Sequence, residues 1–139
     1  MPASEQTIAI VEDDASFNRA LVRLLNASGF ATQAFASAEE FLARAKPNSH
    51  ACMILDIHLP GISGFELFDR LSVDHGPPPV IFITAEDVET VRQEASRISG
   101  KICLRKPLVA DELLGAVHEQ LRRGCSGPES GEGESETWN

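Results

Sequence analysis

Four short apolar runs in this chain each stop at a chemically active residue. Ile8-Ala9-Ile10-Val11 runs into Glu12-Asp13-Asp14, and Cys52-Met53-Ile54-Leu55 ends at Asp56. Val80-Ile81-Phe82-Ile83 ends at Thr84, and Ile102-Cys103-Leu104-Arg105 at Lys106-Pro107. Runs of this length rich in Ile and Val, each followed by turn chemistry and helical spacing, read as strands buried on both faces. Crossovers of the intervening length require parallel pairing with helices on both sides. An open parallel sheet binds its ligands just beyond the carboxyl ends of its strands. One rim therefore gathers acids from two strand ends, a hydroxyl and a lysine, a set suited to a divalent cation and a phosphoryl group.

The intervening segments supply the helices. Phe17, Leu21, Leu24 and Leu25 make a helical stripe, with Asp14 or Ser16 as its N-cap and Gly29 as its stop. Ala31 to Phe35 is a weaker strand, placed near the sheet edge because Thr32 and Gln33 interrupt it. Ser37 opens a helix, with Glu40 three residues on as a capping box and Phe41, Leu42 and Ala45 as its inner face. Pro60-Gly61-Ile62-Ser63-Gly64 turns into a helix carrying Phe65, Phe68 and Leu71. Pro77-Pro78-Pro79 bars helix before the Thr84 strand. Val88, Val91, Ala95 and Ile98 form the next stripe, and Leu113, Leu114, Val117 and Leu121 the last. Five βα units with right-handed crossovers and one reversal of winding predict an α/β three-layer sandwich. This is a doubly wound, flavodoxin-like (βα)5 fold with a five-stranded parallel sheet in order 2-1-3-4-5.

Charge narrows the partners. Twelve basic against 21 acidic residues give −9, which argues against direct nucleic-acid binding, since phosphate backbones need a basic face. No apolar run approaches the ~20 residues of a membrane helix, and Met1 to Gln6 lacks the basic-then-apolar order of a signal peptide. Cys52, Cys103 and Cys125 show no metal-like spacing and read as reduced thiols of a cytoplasmic protein. The folded domain is expected over residues 7–123. Residues 124–139 hold four glutamates and no base among Gly and Ser, the composition of a disordered tail. Trp138 reads as incidental there.

Carboxylates at adjacent strand ends resist joint ionisation unless a cation neutralises them. Mg²⁺, with Mn²⁺ as the alternative ion, fits one or two carboxylates and shares phosphate oxygens. No EF-hand loop favours Ca²⁺. Glu12-Asp13-Asp14 alone would pass for a solvated strand end with a helix cap, but Asp56 follows an independent strand and points at the same rim. Lys106 is either a surface lysine beside Arg105 or a point charge for phosphate. Thr84 either caps the Ala85-Glu86-Asp87 turn or bonds a phosphoryl oxygen. His50, His75 and His118 have no mutual ligand spacing and read as surface or loop residues.

At these residues the chain resembles the receiver domain of two-component response regulators. The matching segments are Val11-Glu12-Asp13-Asp14, Leu55-Asp56-Ile57-His58-Leu59-Pro60-Gly61-Ile62-Ser63-Gly64, Ile83-Thr84-Ala85 and Lys106-Pro107. The resemblance implies that Asp56 is the phosphoacceptor, taking a phosphoryl group from a sensor histidine kinase or a histidine phosphotransfer protein. It implies direct Mg²⁺ ligation by Asp13 and Asp56, water-mediated ligation by Glu12, and a backbone ligand from the His58 carbonyl. Thr84 and Lys106 would bind the phosphoryl group, and Lys106-Pro107 is often cis in the family. Thr84, Ala85, Glu86, His58, Cys103 and Pro107 are the expected switch or tuning positions, with His58 bordering the path of attacking water.

Two departures qualify the resemblance. The family's usual aromatic three residues before the lysine is Cys103 here, and Ser96-Arg97-Ile98-Ser99-Gly100-Lys101 replaces the common Ala-Gly-Ala approach. Output is therefore expected to travel through the helix after Thr84 or the last-strand surface. The overall expectation is a stand-alone signalling receiver acting on a downstream protein, with homodimerisation on phosphorylation, rather than an enzyme in its own right. The runner-up is a phosphate sink or a receiver cut from a longer regulator. An aspartate-nucleophile phosphatase would want an acid where His58 stands, and a flavin module would not lead its first strand into acids.

Overall fold

The alternation concealed within the apolar strands sorts the core into two layers. In a computed structural model, which describes residues 7–46, 49–76, 78–86, 91 and 101–122, β1 (Thr7–Val11) sends Ala9 and Val11 to one side. Ile8 and Ile10 go to the other. The first side packs with Met53 and Leu55 of β3 (Cys52–Asp56), Phe82 of β4 (Val80–Thr84), and Phe41 and Phe68. Those two phenylalanines come from α2 (Ala38–Arg44) and α3 (Gly64–His75). The second side packs with Ile54, Ile81 and Ile83, and with Leu21 and Leu25 of α1 (Ala15–Ala27). Leu113 and Val117 of α4, residues 110–122, complete it. A side chain of this size contributes about 1.5–3 kcal/mol when fully buried, and the three central strands place one on each face at almost every step.

The sheet is wholly parallel in order β2-β1-β3-β4-β5, with β2 (Ala31–Phe35) and β5 (Ile102–Arg105) at the edges. That is the expected order, and β2 is the edge strand that Thr32 and Gln33 signalled. The stripe Val88 to Ile98 lies outside the described residues except Val91, which is buried against the α2–α3 side. Residues 124–139, with Cys125 and Trp138, and most of Ser96 to Lys101 also lie outside them. Among the described residues no helix is long and apolar enough to cross a membrane.

Local chemistry sets the helix ends. Asp14, not Ser16, is the N-cap of α1, its carboxylate accepting from Phe17 N–H at 3.1 Å. Gly29 follows the end of α1 with φ +97°, a conformation open to glycine. Ser37 caps α2 by accepting from Glu40 N–H, but Glu40 accepts from Ala36 N–H instead of completing the box. The reciprocal box belongs to Ser63 and Glu66 at the start of α3.

His50 departs from the surface role expected of it. It is half-buried, its ring set against Phe35 and Phe41 and its Nε2 2.8 Å from Gln33 Oε1. His118 is exposed on α4 beside Phe30; the His75 side chain lies outside the described residues. Burial holds the His50 imidazole below its ordinary value. The unfolded chain then binds this proton more readily, so stability falls as pH drops through the unfolded value near 6.5. Thermal melts from about pH 7.5 to about pH 5.5 should show the native chain losing more stability than His50→Gln. Parallel curves for the two would show that the folded site does not resist protonation.

Candidate functional site

Register alone brings the acids level. Val11 pairs with Leu55, so Glu12 and Asp56 leave the sheet side by side. Asp56 pairs with Ile83, which puts Thr84 one step beyond it, and Thr84 pairs with Arg105, which puts Lys106 one step further. Lys106 N–H donates to the Thr84 carbonyl at 2.8 Å, and its side chain returns over the acids. The Lys106–Pro107 peptide is cis.

Glu12 and Asp56 are 1% and 4% exposed. Glu12 Oε2 accepts from Asp14 N–H at 2.9 Å, and Glu12 Oε1 faces Lys106 Nζ at 2.8 Å. That oxygen is buried and has no hydrogen bond of good geometry, so its charge rests on the ion pair. Asp56 Oδ1 accepts from His58 N–H at 3.1 Å, and Oδ2 lies 3.4 Å from Lys106 Nζ. Asp13 is exposed, and Glu12, Asp13 and Asp56 each offer a ligand oxygen within 4.8 Å of the others. Three carboxylates against one ammonium leave a formal charge of −2 at the rim (−3 + 1). A hard divalent cation matches that charge and that donor set.

Burial pushes the Glu12 carboxyl above the usual carboxylate range, and the charge of Asp56 adds to the rise, against the pull of Lys106 and Asp14 N–H. Burial pulls Lys106 down, but its close ion pair with Glu12 and the charge of Asp56 outweigh this and hold it above the ordinary lysine value. The lysine therefore stays an ammonium, and the cost of the buried cluster falls on Glu12.

The remaining expected residues divide. Thr84 is fully buried, and its hydroxyl oxygen accepts from Glu86 N–H at 3.0 Å, the turn-capping role. A hydroxyl used as acceptor keeps its own O–H to donate. Ala85 and Glu86 are exposed at the rim, where Glu86 Oε1 lies 3.6 Å from His58 Nε2. Cys103 stands apart from the acids, buried in β5 opposite Phe82. Cys52 is also a buried thiol, pushed up to about 12 by burial and so inert.

Sequence reading missed the rim roles of Asn18 and Phe17, and it placed Gly64 in a matched segment without seeing what it does there. Asn18 is buried, and its Nδ2 donates to the carbonyls of Glu12 at 2.9 Å and Phe35 at 3.1 Å, tying α1 to two strand ends. The signal was an amide beside an otherwise apolar stripe. Gly64 lets α3 start against the Asp56 backbone, where a Cβ would lie 2.2 Å from the Asp56 carbonyl oxygen. Phe17, read as core, turns its ring toward Lys106.

Comparison with known proteins points to one family. The family model for the response regulator receiver domain matches residues 8–118. Transcriptional regulatory protein CreB of Escherichia coli is 36% identical over 118 residues, 85% of this chain and 52% of that protein. Nodulation protein W of Bradyrhizobium diazoefficiens is 34% identical over 115 residues, 83% of this chain and 51% of that protein. The crystal structure of a response regulator receiver protein from Burkholderia phymatum superposes with a TM-score of 0.69 at 39% identity, covering 83% of this chain and 94% of that one. The chain spans about half the length of the curated relatives it matches. Family model, relatives and fold agree: this chain belongs to the response regulator receiver domain family.

Proposed function

We propose that Asp56 accepts a phosphoryl group from a histidine kinase or histidine phosphotransfer protein, and that the phosphorylated chain signals to a protein partner. The observation that carries this reading is the Lys106 ammonium poised between buried Glu12 and Asp56 beside exposed Asp13. The Asp56 carboxylate attacks phosphorus, the P–N bond of the donor phosphohistidine breaks, and its electron pair returns to the imidazole. His58 N–H fixes the Asp56 carboxylate through Oδ1. Lys106 moves from Glu12 toward a phosphoryl oxygen. Thr84, still accepting from Glu86 N–H, donates its O–H to another.

Asp13, Asp56 and the His58 carbonyl would hold Mg²⁺ or Mn²⁺ directly, with Glu12 acting through water. When bound, the ion supplies charge neutralisation for the carboxylates and the transferring group, the main need in phosphoryl transfer. The switch runs from Thr84 and the Ala85 backbone into the segment that follows. Cys103, small where the family resemblance leads one to expect an aromatic, offers little contact difference between rotamers.

With acetyl phosphate and Mg²⁺, intact mass should rise by one phosphoryl group in the native chain and stay unchanged in Asp56→Asn. Equal labelling of both would place the phosphoacceptor elsewhere. Asp13→Ala should weaken Mg²⁺ affinity while leaving the metal-free melting temperature level or higher, because it removes both a ligand and a like charge. A sharp fall in the metal-free melt would mark Asp13 as a structural residue.

A further inference from the structure

Phe17 stands with its ring centroid 4.7 Å from Lys106 Nζ, well inside the ~6 Å range of a cation–π contact. The same ammonium meets Glu12 at 2.8 Å and Asp56 at 3.4 Å, so the ring is a third neighbour of the one cation held over the acids. We propose that Phe17 is a positioning residue for phosphoryl transfer, its ring face steering the Lys106 ammonium over Asp56. This rests on the reading of Asp56 as phosphoacceptor and adds to it a residue of α1 that lies outside the motifs carrying that reading.

The ring is held in place from its own helix. Phe17 N–H donates to the Asp14 carboxylate at 3.1 Å. Its neighbour Asn18 is bonded through its side chain to the Glu12 and Phe35 carbonyls. The ring also packs against the α1–α4 layer of the core, so it is braced from behind. Lysine, by contrast, is a point charge on a flexible four-carbon stem. A hydrogen-bond acceptor at this place would fix the ammonium in one spot. An aromatic face attracts it without directional demand and lets it slide from Glu12 to a phosphoryl oxygen while staying out of bulk water. If Phe17 served only as core, a leucine of similar volume would do as well.

The test uses the full chain. Proton NMR of the native protein should show the Lys106 ε-methylene resonances shifted upfield by the ring, and Phe17→Leu should return them to ordinary lysine positions. With acetyl phosphate and Mg²⁺, the Phe17→Leu rate constant should fall roughly three- to tenfold, and Phe17→Tyr should recover most of it. Successive fluorination of the ring at position 17 drains its negative face with little change in shape, so the logarithm of the rate should fall stepwise. In a Lys106→Met background, Phe17→Leu should have no further effect. A flat fluorination series, or an equal loss in the Lys106→Met background, would reduce Phe17 to a packing residue and overturn the proposal. A native chain that takes up no phosphoryl group would instead overturn the phosphoacceptor reading. The Lys106 ring shift would then still decide whether Phe17 holds the ammonium, and its absence would sink that claim too.

Discussion

Two carboxylates buried side by side at the ends of neighbouring strands are the constraint around which this molecule is arranged. A buried, unpaired carboxylate costs several kcal/mol, and Glu12 and Asp56 are brought level by the β1–β3 register, whatever their charge. Each is therefore met by donors from its own turn, Asp14 N–H for Glu12 and His58 N–H for Asp56. Both share Lys106. The lysine comes from an edge strand two places away from β3, so the acids and their counterion stay together only while the whole sheet keeps its register. The apolar layers on either side hold that register. A one-residue slip of any central strand would exchange its two sets of core side chains between layers that differ in shape.

The same logic explains which parts of the architecture were legible in the sequence. The central strands announce themselves because burial on both faces makes them continuous apolar runs. The edge strand β2 shows its position through Thr32 and Gln33, both of which remain part-exposed. Glu12, Asp13, Asp56 and Lys106 were found because a strand end fixes where the next residue goes. Side-chain pairings that depend on distance rather than register were not. Ser37-x-x-Glu40 and Ser63-x-x-Glu66 have the same spacing, yet only the second is reciprocal, since Glu40 turns to Ala36 N–H and also pairs with Arg44. His50 looked like a loop histidine because its burial is created by Phe35 and Phe41, which arrive from other elements.

The residues whose roles at the site were missed share one property. Asn18 and Phe17 act on groups the sequence had already identified from a helix face outside the matched segments, and Gly64 does so through its shape rather than its chemistry. Asn18 fixes the carbonyl of Glu12, Gly64 admits α3 to the backbone of Asp56, and Phe17 borders the ammonium of Lys106. Motif reading finds the groups that do chemistry because their residue types are restricted by that chemistry. The groups that hold them are restricted by shape, and many residue types satisfy a shape until the neighbouring element is in place.

Lys106 then has two tasks that pull against each other. Without a metal it is the main counterion for Glu12 Oε1, which has no well-formed hydrogen bond. In the proposed phosphoryl transfer it would turn toward the incoming group. A divalent cation beside Glu12, Asp13 and Asp56 would relieve the first task and release the lysine for the second. Metal occupancy and lysine position would thus be coupled through one carboxylate oxygen, and the formal −2 of the rim would favour such a cation. A fully neutral rim would need no metal and would leave the lysine bound to Glu12. A rim with no lysine would leave two buried acids facing each other with only backbone donors. Three carboxylates and one ammonium on a flexible stem would meet both conditions at once.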